Sequence, residues 1–224
     1  IQLSAERLEM KLTGKLAQPE QAILTKSVKT IVDQVDAMKR LVNDFRDYAR
    51  LPAADLKRVD LNALLADVLQ LYDSDTQSVP VLLELDTACP PVLGDAQQLR
   101  QVIHNLLQNA QDASETRIAT GTGDRSVVVR TQYQATVGRV RLSVLDSGGG
   151  FPEHILKRAF EPYVTTKIKG TGLGLAVVKK IADEHGSRID IVNRIVDGAV
   201  VGAQVSLSLA ADDSTLAAAS HDGT

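Results

Sequence analysis

Asp146-Ser147-Gly148-Gly149-Gly150 and Gly170-Thr171-Gly172-Leu173-Gly174-Leu175 bracket Phe160-Glu161-Pro162-Tyr163-Val164-Thr165-Thr166-Lys167, and the reading of this stretch decides the fold. Glycine lets backbone N–H groups come close to a polyphosphate and take positive φ, and a helix starting just after the second cluster aims its N-terminal dipole at negative charge. Residues 161 to 171 have little periodicity, and Thr165, Thr166, Lys167, Lys169 and Gly170 give them the character of a loop that closes over phosphates. Read this way, 146 to 175 is a nucleotide pocket with a movable cover. Taken alone, the glycines would equally mark ordinary turns and the two lysines a solvated surface.

The rest of the chain narrows the choice. Its 224 residues are long enough for one or two domains, and 44% hydrophobic with 24% charged residues is ordinary for a soluble protein. A formal net charge of −3 provides no basic field for nucleic acid, so no nucleic-acid partner is expected. No apolar run approaches the ~20 residues of a membrane span. Cys89 is the only cysteine, which rules out an internal disulfide, and His104, His154, His185 and His221 lack metal-ligand spacing. The composition fits a reducing, cytoplasmic setting. The chain enters an amphipathic pattern already in progress at Ile1, without Met, so it reads as a fragment whose upstream segments would hold any targeting or membrane anchor.

Leu24, Val28, Ile31, Val35, Met38, Val42, Phe45 and Ala49 alternate at spacings of four and three, the signature of a coiled-coil seam. Ile1, Ala5, Leu8, Leu12 and Leu16 repeat the habit, and Gln18-Pro19-Glu20 reads as a tight connection with Pro19 opening the second helix. A hairpin of two helices cannot cover so long a stripe. A second copy forming an antiparallel four-helix bundle is the simplest cover, and packing on the rest of the same chain is the alternative. Leu51-Pro52 ends the long helix, which sets expected domains at 1–52 and 53–209, with an Ala-, Ser- and Asp-rich tail at 210–224 expected to be disordered.

Beyond Pro52, Asp60 reads as the N-cap of a helix to about Tyr72, Val79 to Leu85 as a strand, and Pro90-Pro91-Val92-Leu93-Gly94-Asp95 as leading through a short extended piece into the next helix. A helix over about 96 to 118 buries Leu99, Val102, Ile103, Leu106, Ala110 and Ala113. Asn105, Asn109 and Asp112 fall on another line of it, at spacings of four and three. Two amide oxygens one turn apart suit Mg²⁺ or its waters beside a triphosphate, although Asn at i and i+4 is far more often a solvated face. Ser126 to Tyr133 and Gly138 to Leu145 alternate as adjacent antiparallel strands, and the second ends on Asp146. A carboxylate there either accepts from an exocyclic amine, telling adenine from guanine, or caps the glycine turn. A short helix after Pro152, a helix over Leu173 to Glu184 stopped at His185-Gly186, and strands over Ser187 to Asn193 and Ala199 to Leu209 complete the series.

These glycines fit neither the P-loop nor the Rossmann spacing, the sheet is mostly antiparallel, and the protein-kinase motifs are missing. The sequence resembles bacterial sensor histidine kinases, whose ATP-binding domain has the GHKL or Bergerat fold shared with gyrase, Hsp90 and MutL. Asn105-Leu106-Leu107-Gln108-Asn109-Ala110 is similar to the N box and Asp146 to Gly150 to the G1 box. Phe160 to Lys167 resembles the F box and Gly170 to Leu175 the G2 box, all in the family's order. The F box and Arg46-Asp47-Tyr48-Ala49-Arg50-Leu51-Pro52 look like the nitrogen-regulation, NtrY-like branch.

The resemblance implies an α+β chain. An N-terminal helical hairpin, paired into a dimeric four-helix bundle, would precede an α/β sandwich with a mixed, mostly antiparallel sheet that binds ATP and Mg²⁺. Asn105 and Asn109 would hold the metal and Asp146 the adenine. Asp112, Gly148, Gly150, Phe160, Lys167, Lys169 and the backbone of Gly170, Thr171, Gly172, Leu173, Gly174 and Leu175 would line the nucleotide site. In the family the γ-phosphoryl passes to a histidine on the first bundle helix and then to an aspartate on a response-regulator receiver domain. The complete protein would be anchored in the inner membrane. By the family's spacing the acceptor histidine belongs before Ile1, and none of the four histidines present has its context, so the fragment is expected to bind ATP without phosphorylating itself. Ser187 and Val201-Gly202-Ala203 depart from the family's usual glycines. A nucleotide-switched scaffold is a competing expectation. An Hsp90- or MutL-like ATPase would need Glu at position 105.

Overall fold

The computed structural model describes residues 1–70, 79–118, 126–167 and 170–212, which fall into two compact units. The expected helix end at Tyr72, Lys169 and the tail beyond Asp212 lie outside the described residues.

One unit comprises Ile1–Arg50 with Thr166–Thr171. Its helices are α1 (Gln2–Leu12) and α2 (Gln18–Ala49). Proline in the first turn of α2 lacks only an N–H that has no intrahelical acceptor anyway, so it opens the helix without loss. The intervening turn uses Gly14 at φ +76°. The helices run as a hairpin, with Lys39 Nζ donating to Gln2 Oε1 at 2.6 Å. Ala5 and Val28 are buried, whereas Ile31, Met38, Val42 and Phe45 of the seam remain exposed. Within this unit Thr171 Oγ1 donates to Asp44 Oδ2 at 2.6 Å.

The other unit comprises Leu51–Thr165 and Gly172–Thr224. Its described helices and strands are β1 (Lys57–Val59), α3 (Leu61–Gln70), β2 (Val81–Glu84), β3 (Val92–Gly94), α4 (Ala96–Ile118), β4 (Val127–Gln134), β5 (Arg139–Leu145), α5 (Glu153–Leu156), α6 (Gly174–Glu184), β6 (Arg188–Val196) and β7 (Ala199–Ala210), with a 3-10 turn (Ala135–Val137) between β4 and β5. Five strands form a sheet in the order β2-β4-β5-β7-β6, parallel only between β2 and β4. The mixed, mostly antiparallel sheet is therefore present.

Alternation along the central strands makes one face apolar. Val129, Val144 and Val205 stand in one cross-strand row, Thr131, Leu142 and Leu207 in the next, all buried. Leu64, Leu65, Leu99, Ile103, Leu106, Val177, Val178 and Ile181 from α3, α4 and α6 are buried with them, each contributing on the order of 1.5–3 kcal/mol. The opposite face is polar: Ser143 Oγ lies 3.0 Å from Ser206 Oγ, and Arg139 Nε donates to Ser208 Oγ at 3.0 Å.

Several boundaries differ from the sequence reading. β1 was not expected; it pairs antiparallel with β3, and three residues are too few for a period to register. β2 is shorter than Val79 to Leu85, while β6 extends to Val196 because Asp197 (φ +50°) and Gly198 (φ +77°) form a two-residue hairpin turn. The expected tail from 210 also starts too early. Ala210 ends β7, Ala211 bridges Val92, Asp212 N donates to Pro91 O at 2.7 Å, and Arg58 lies 3.4 Å from the Asp212 carboxylate. Those partners come from β1 and β3, which composition at the C-terminus cannot reveal. Finally, Thr166–Thr171 group with the helical hairpin rather than with residues 53–209.

Candidate nucleotide site

α4 carries the first candidate residues, and its start is fixed from three directions. Asp95 Oδ1 accepts from the N–H groups of Gln97 (2.9 Å) and Gln98 (3.1 Å), and its Oδ2 accepts from Asp55 N (3.1 Å), an N-cap that also ties down the preceding segment. Burial pushes the Asp95 carboxyl up, but the N–H bonds from Gln98, Asp55 and Gln97 outweigh that and hold it below the ordinary range. His185 is buried; its Nε2 accepts from Asp95 N at 2.9 Å, so Nδ1 carries the proton that faces Ile181 O at 2.8 Å. The end of α6 is thereby joined to the start of α4.

From this anchored start, Asn105, Asn109 and Asp112 fall on one half-buried line of α4, flanked by exposed His104 and Gln108. Leu106, Leu107 and Ala110 fill the core behind them. Two glycine clusters meet α4, one at this line and one just beyond it. A Cβ on Gly174, the first residue of α6, would stand 3.5 Å from Asn109 Nδ2. A Cβ on Gly148 would stand 2.8 Å from Ala113 Cβ and 2.9 Å from Ala113 O, one residue beyond Asp112, so the first cluster runs hard against α4.

Asp146 directly follows β5 and is buried. Its N–H donates to Ala203 O at 3.0 Å, and its Oδ1 accepts from Gly148 N (2.8 Å) and Ala203 N (3.0 Å). The bond from Gly148 is the turn-capping arrangement, so capping accounts for Oδ1. Ser147 is held by Ser114, whose Oγ accepts from Ser147 N at 3.2 Å. Gly150 needs its φ of +71°, and a Cβ there would strike Asn193 Oδ1 at 2.7 Å.

Phe160 is half-buried after buried Ala159. Gly172 (φ +70°) accepts from Tyr163 N at 3.0 Å, and a Cβ on it would lie 2.6 Å from Tyr163 C, which fastens the end of the Phe160 segment to the second cluster. Leu173 is fully buried and its carbonyl accepts from Val177 N at 2.9 Å, while Leu175 is half-buried. Asn105, Asn109, Asp112, Asp146, Gly148, Gly150, Phe160 and Gly172 to Leu175 thus share one compact unit. Lys167, Gly170 and Thr171 belong to the other, where Gly170 N donates to Lys167 O at 3.1 Å.

Sequence reading missed the residues that grip the first cluster: Ala113, Ser114, Asn193, Arg194 and Gly202. The only signal was the small pair Ala113-Ser114 where α4 must meet a glycine loop, and the isolated Gly202. Among the described residues no group of three or more His, Cys, Asp or Glu is placed to hold a metal. A cation here would have to be held by amide oxygens and by phosphate it brings with it, which fits the Asn105 and Asn109 donors and the habits of Mg²⁺.

With this geometry, residues 94–212 match the family of histidine kinase-, DNA gyrase B- and HSP90-like ATPases, and the chain belongs to it. Among relatives it is 34% identical over 213 residues to the nitrogen regulation protein NtrY of Azorhizobium caulinodans, covering 95% of this chain and 27% of that protein. Among solved structures it is similar to full-length ShkA in complex with AMPPNP (27% identity, TM-score 0.65, 89% of this chain and 41% of that one). It is also similar to histidine kinase ThkA in complex with the response regulator TrrA (25% identity, TM-score 0.66, 92% and 56%). The chain spans about a third or less of the length of its curated NtrY-like relatives, 32% in Rickettsia bellii. Among the described residues no helix is long and apolar enough to cross a membrane.

Proposed function

We propose that the chain is the ATP-binding catalytic region, with part of the dimerisation region, of a sensor histidine kinase. The observation that carries this reading is the meeting of Asn109 on α4 with Gly174 at the head of α6, beside a glycine loop that begins on buried Asp146. A helix N-terminus offers N–H groups to phosphate, and the Asn105 and Asn109 amides, one turn apart on α4, would be the groups that hold Mg²⁺. Asp146 would accept from the adenine amine, and the backbone of Gly170 to Leu175 with Lys167 and Lys169 would meet the phosphate charge. Bound Mg²⁺ supplies charge neutralisation on the transferring phosphoryl group, and the protein's share is positioning.

In this reading the γ-phosphoryl passes to a histidine on the dimerisation helix and then to an aspartate of a response-regulator receiver domain. ThkA with TrrA and ShkA with AMPPNP support the partner and the nucleotide by likeness. Neither α1 nor α2 contains a histidine, so these 224 residues bind ATP without autophosphorylating. The exposed seam of the hairpin is covered by a second copy, giving a dimeric four-helix bundle, and the complete protein works at the inner membrane with this region in the cytoplasm.

Calorimetry with ATP in excess Mg²⁺ and in EDTA tests the site. Asn109→Ala should lose at least tenfold in affinity with Mg²⁺ and much less in EDTA; equal losses in both would remove the metal role. Stable, acid-labile label on the purified chain after incubation with γ-labelled ATP would contradict the account of the acceptor.

A further inference from the structure

We propose that Arg194 is a positioning residue for base selection: it holds the Asp146 backbone from β6 and thereby sets where the carboxylate meets the nucleotide base. The inference rests on the reading of the site as an ATP pocket. Three observations carry it.

First, Arg194 Nη1 donates to Asp146 O at 2.8 Å, which reaches across the intervening strand β7 to the end of β5. Second, the residue of β7 opposite Arg194 is Gly202, with φ +153°, and a Cβ there would lie 1.9 Å from Asp146 O. Any side chain at 202 would collide with the carbonyl that the guanidinium holds. The β6–β7 ladder also shifts register between Arg194 and Ile195, so the strand irregularity lies at the point of contact; such bulges re-aim side chains. Third, the adjacent residue holds the other end of the same loop. Asn193 Oδ1 accepts from Phe151 N and Asn193 Nδ2 donates to Phe151 O, both at 2.8 Å. Two consecutive residues of β6 therefore fix the entry and exit of the 146–151 loop.

The chemistry explains why position matters here more than presence. Asp146 Oδ1 accepts from Gly148 N and Ala203 N, so the orientation of the carboxylate follows the backbone of residue 146 that Arg194 holds. An acceptor aimed at the exocyclic amine of adenine faces a carbonyl oxygen in guanine, and a misplaced carboxylate loses the first contact without gaining the second. Loosening Arg194 should therefore weaken ATP selectively.

The test is calorimetric affinity for MgATP and MgGTP in wild type, Arg194→Met, Arg194→Lys and Asp146→Ala, with thermal unfolding of each. Arg194→Met is expected to lower ATP affinity about tenfold while GTP affinity changes less than twofold. Arg194→Lys, which keeps a donor, should recover most of the preference. Equal losses for ATP and GTP in Arg194→Met overturn the inference, because a merely structural residue would act that way. So does an unchanged ATP-to-GTP ratio in Arg194→Met while Asp146→Ala loses ATP, which leaves the ATP-site reading standing. ATP binding unaffected by Asp146→Ala overturns that reading and the inference together.

Discussion

Gly202→Ala should be among the most damaging single-methyl changes in the chain. The added Cβ would sit 1.9 Å from Asp146 O and 2.8 Å from Asp146 C, on a backbone at φ +153° that side-chain-bearing residues avoid. An ordinary contact is about 3.4 Å or more, so β5 and β7 must separate by roughly 1.5 Å at this point, in the ladder that delivers Asp146. Overpacking of a tight site costs about 1–3 kcal/mol, and an unsuitable backbone conformation about 1–3 kcal/mol more. At about 2–4 °C per kcal/mol for a protein of this size, a loss of about 4 kcal/mol lowers Tm by roughly 8–16 °C. Gly149→Ala is the control, since nothing lies within 4 Å of its Cβ. It should move Tm by less than about 2 °C, within the ordinary range for open surface sites. Thermal unfolding by circular dichroism reads both. Reasoning from the close approach at Asp146 is refuted if Gly202→Ala costs no more than Gly149→Ala.

Other outcomes follow from the anchoring of α4 and from the hairpin. Asp95→Ala removes the cap of the helix carrying Asn105 and Asn109 and should cost about 1–2 kcal/mol at neutral pH in urea unfolding. Because the Asp95 pKa is lowered on folding, its contribution is present above the unfolded value of about 3.9 and is lost as pH falls through the folded value. The difference between wild type and Asp95→Ala should therefore shrink in strongly acidic urea titrations; a constant difference would contradict the cap. In the hairpin, Met38→Lys with Phe45→Lys should shift sedimentation from dimer to monomer, as both side chains are exposed on the seam. Wild type sedimenting as a monomer at high concentration would remove the dimer.

The features legible in the sequence are those with a local period or a local chemistry. α2 was readable from spacings of three and four, α4 from its apolar line and the Asn105, Asn109, Asp112 line beside it, and the central strands from Val127, Val129, Val140, Leu142 and Val144. What escaped was set by distant partners. β1 exists because β3 pairs with it, Asp212 is fixed by Pro91 and Arg58, and the need for glycine at 202 comes from a carbonyl on β5. Asn193 reads only as the end of a strand and Arg194 falls beyond it, until the sheet order puts β7 between β6 and β5. The glycine clusters were recognisable as loops, but their grip on Ala113 and Asn109 depends on where α4 lies.

The most direct measurement of the central claim is Mg²⁺-dependent ATP binding by isothermal calorimetry, wild type against Asp146→Ala. Asp146 is buried at the end of β5 and opens the glycine loop whose Gly148 runs against α4, which makes it the group that would read the base. The account predicts saturable binding by wild type and a loss of at least tenfold in Asp146→Ala, about 1.4 kcal/mol or more. Equal affinity in the two proteins, or no binding of ATP by folded wild type, would contradict it.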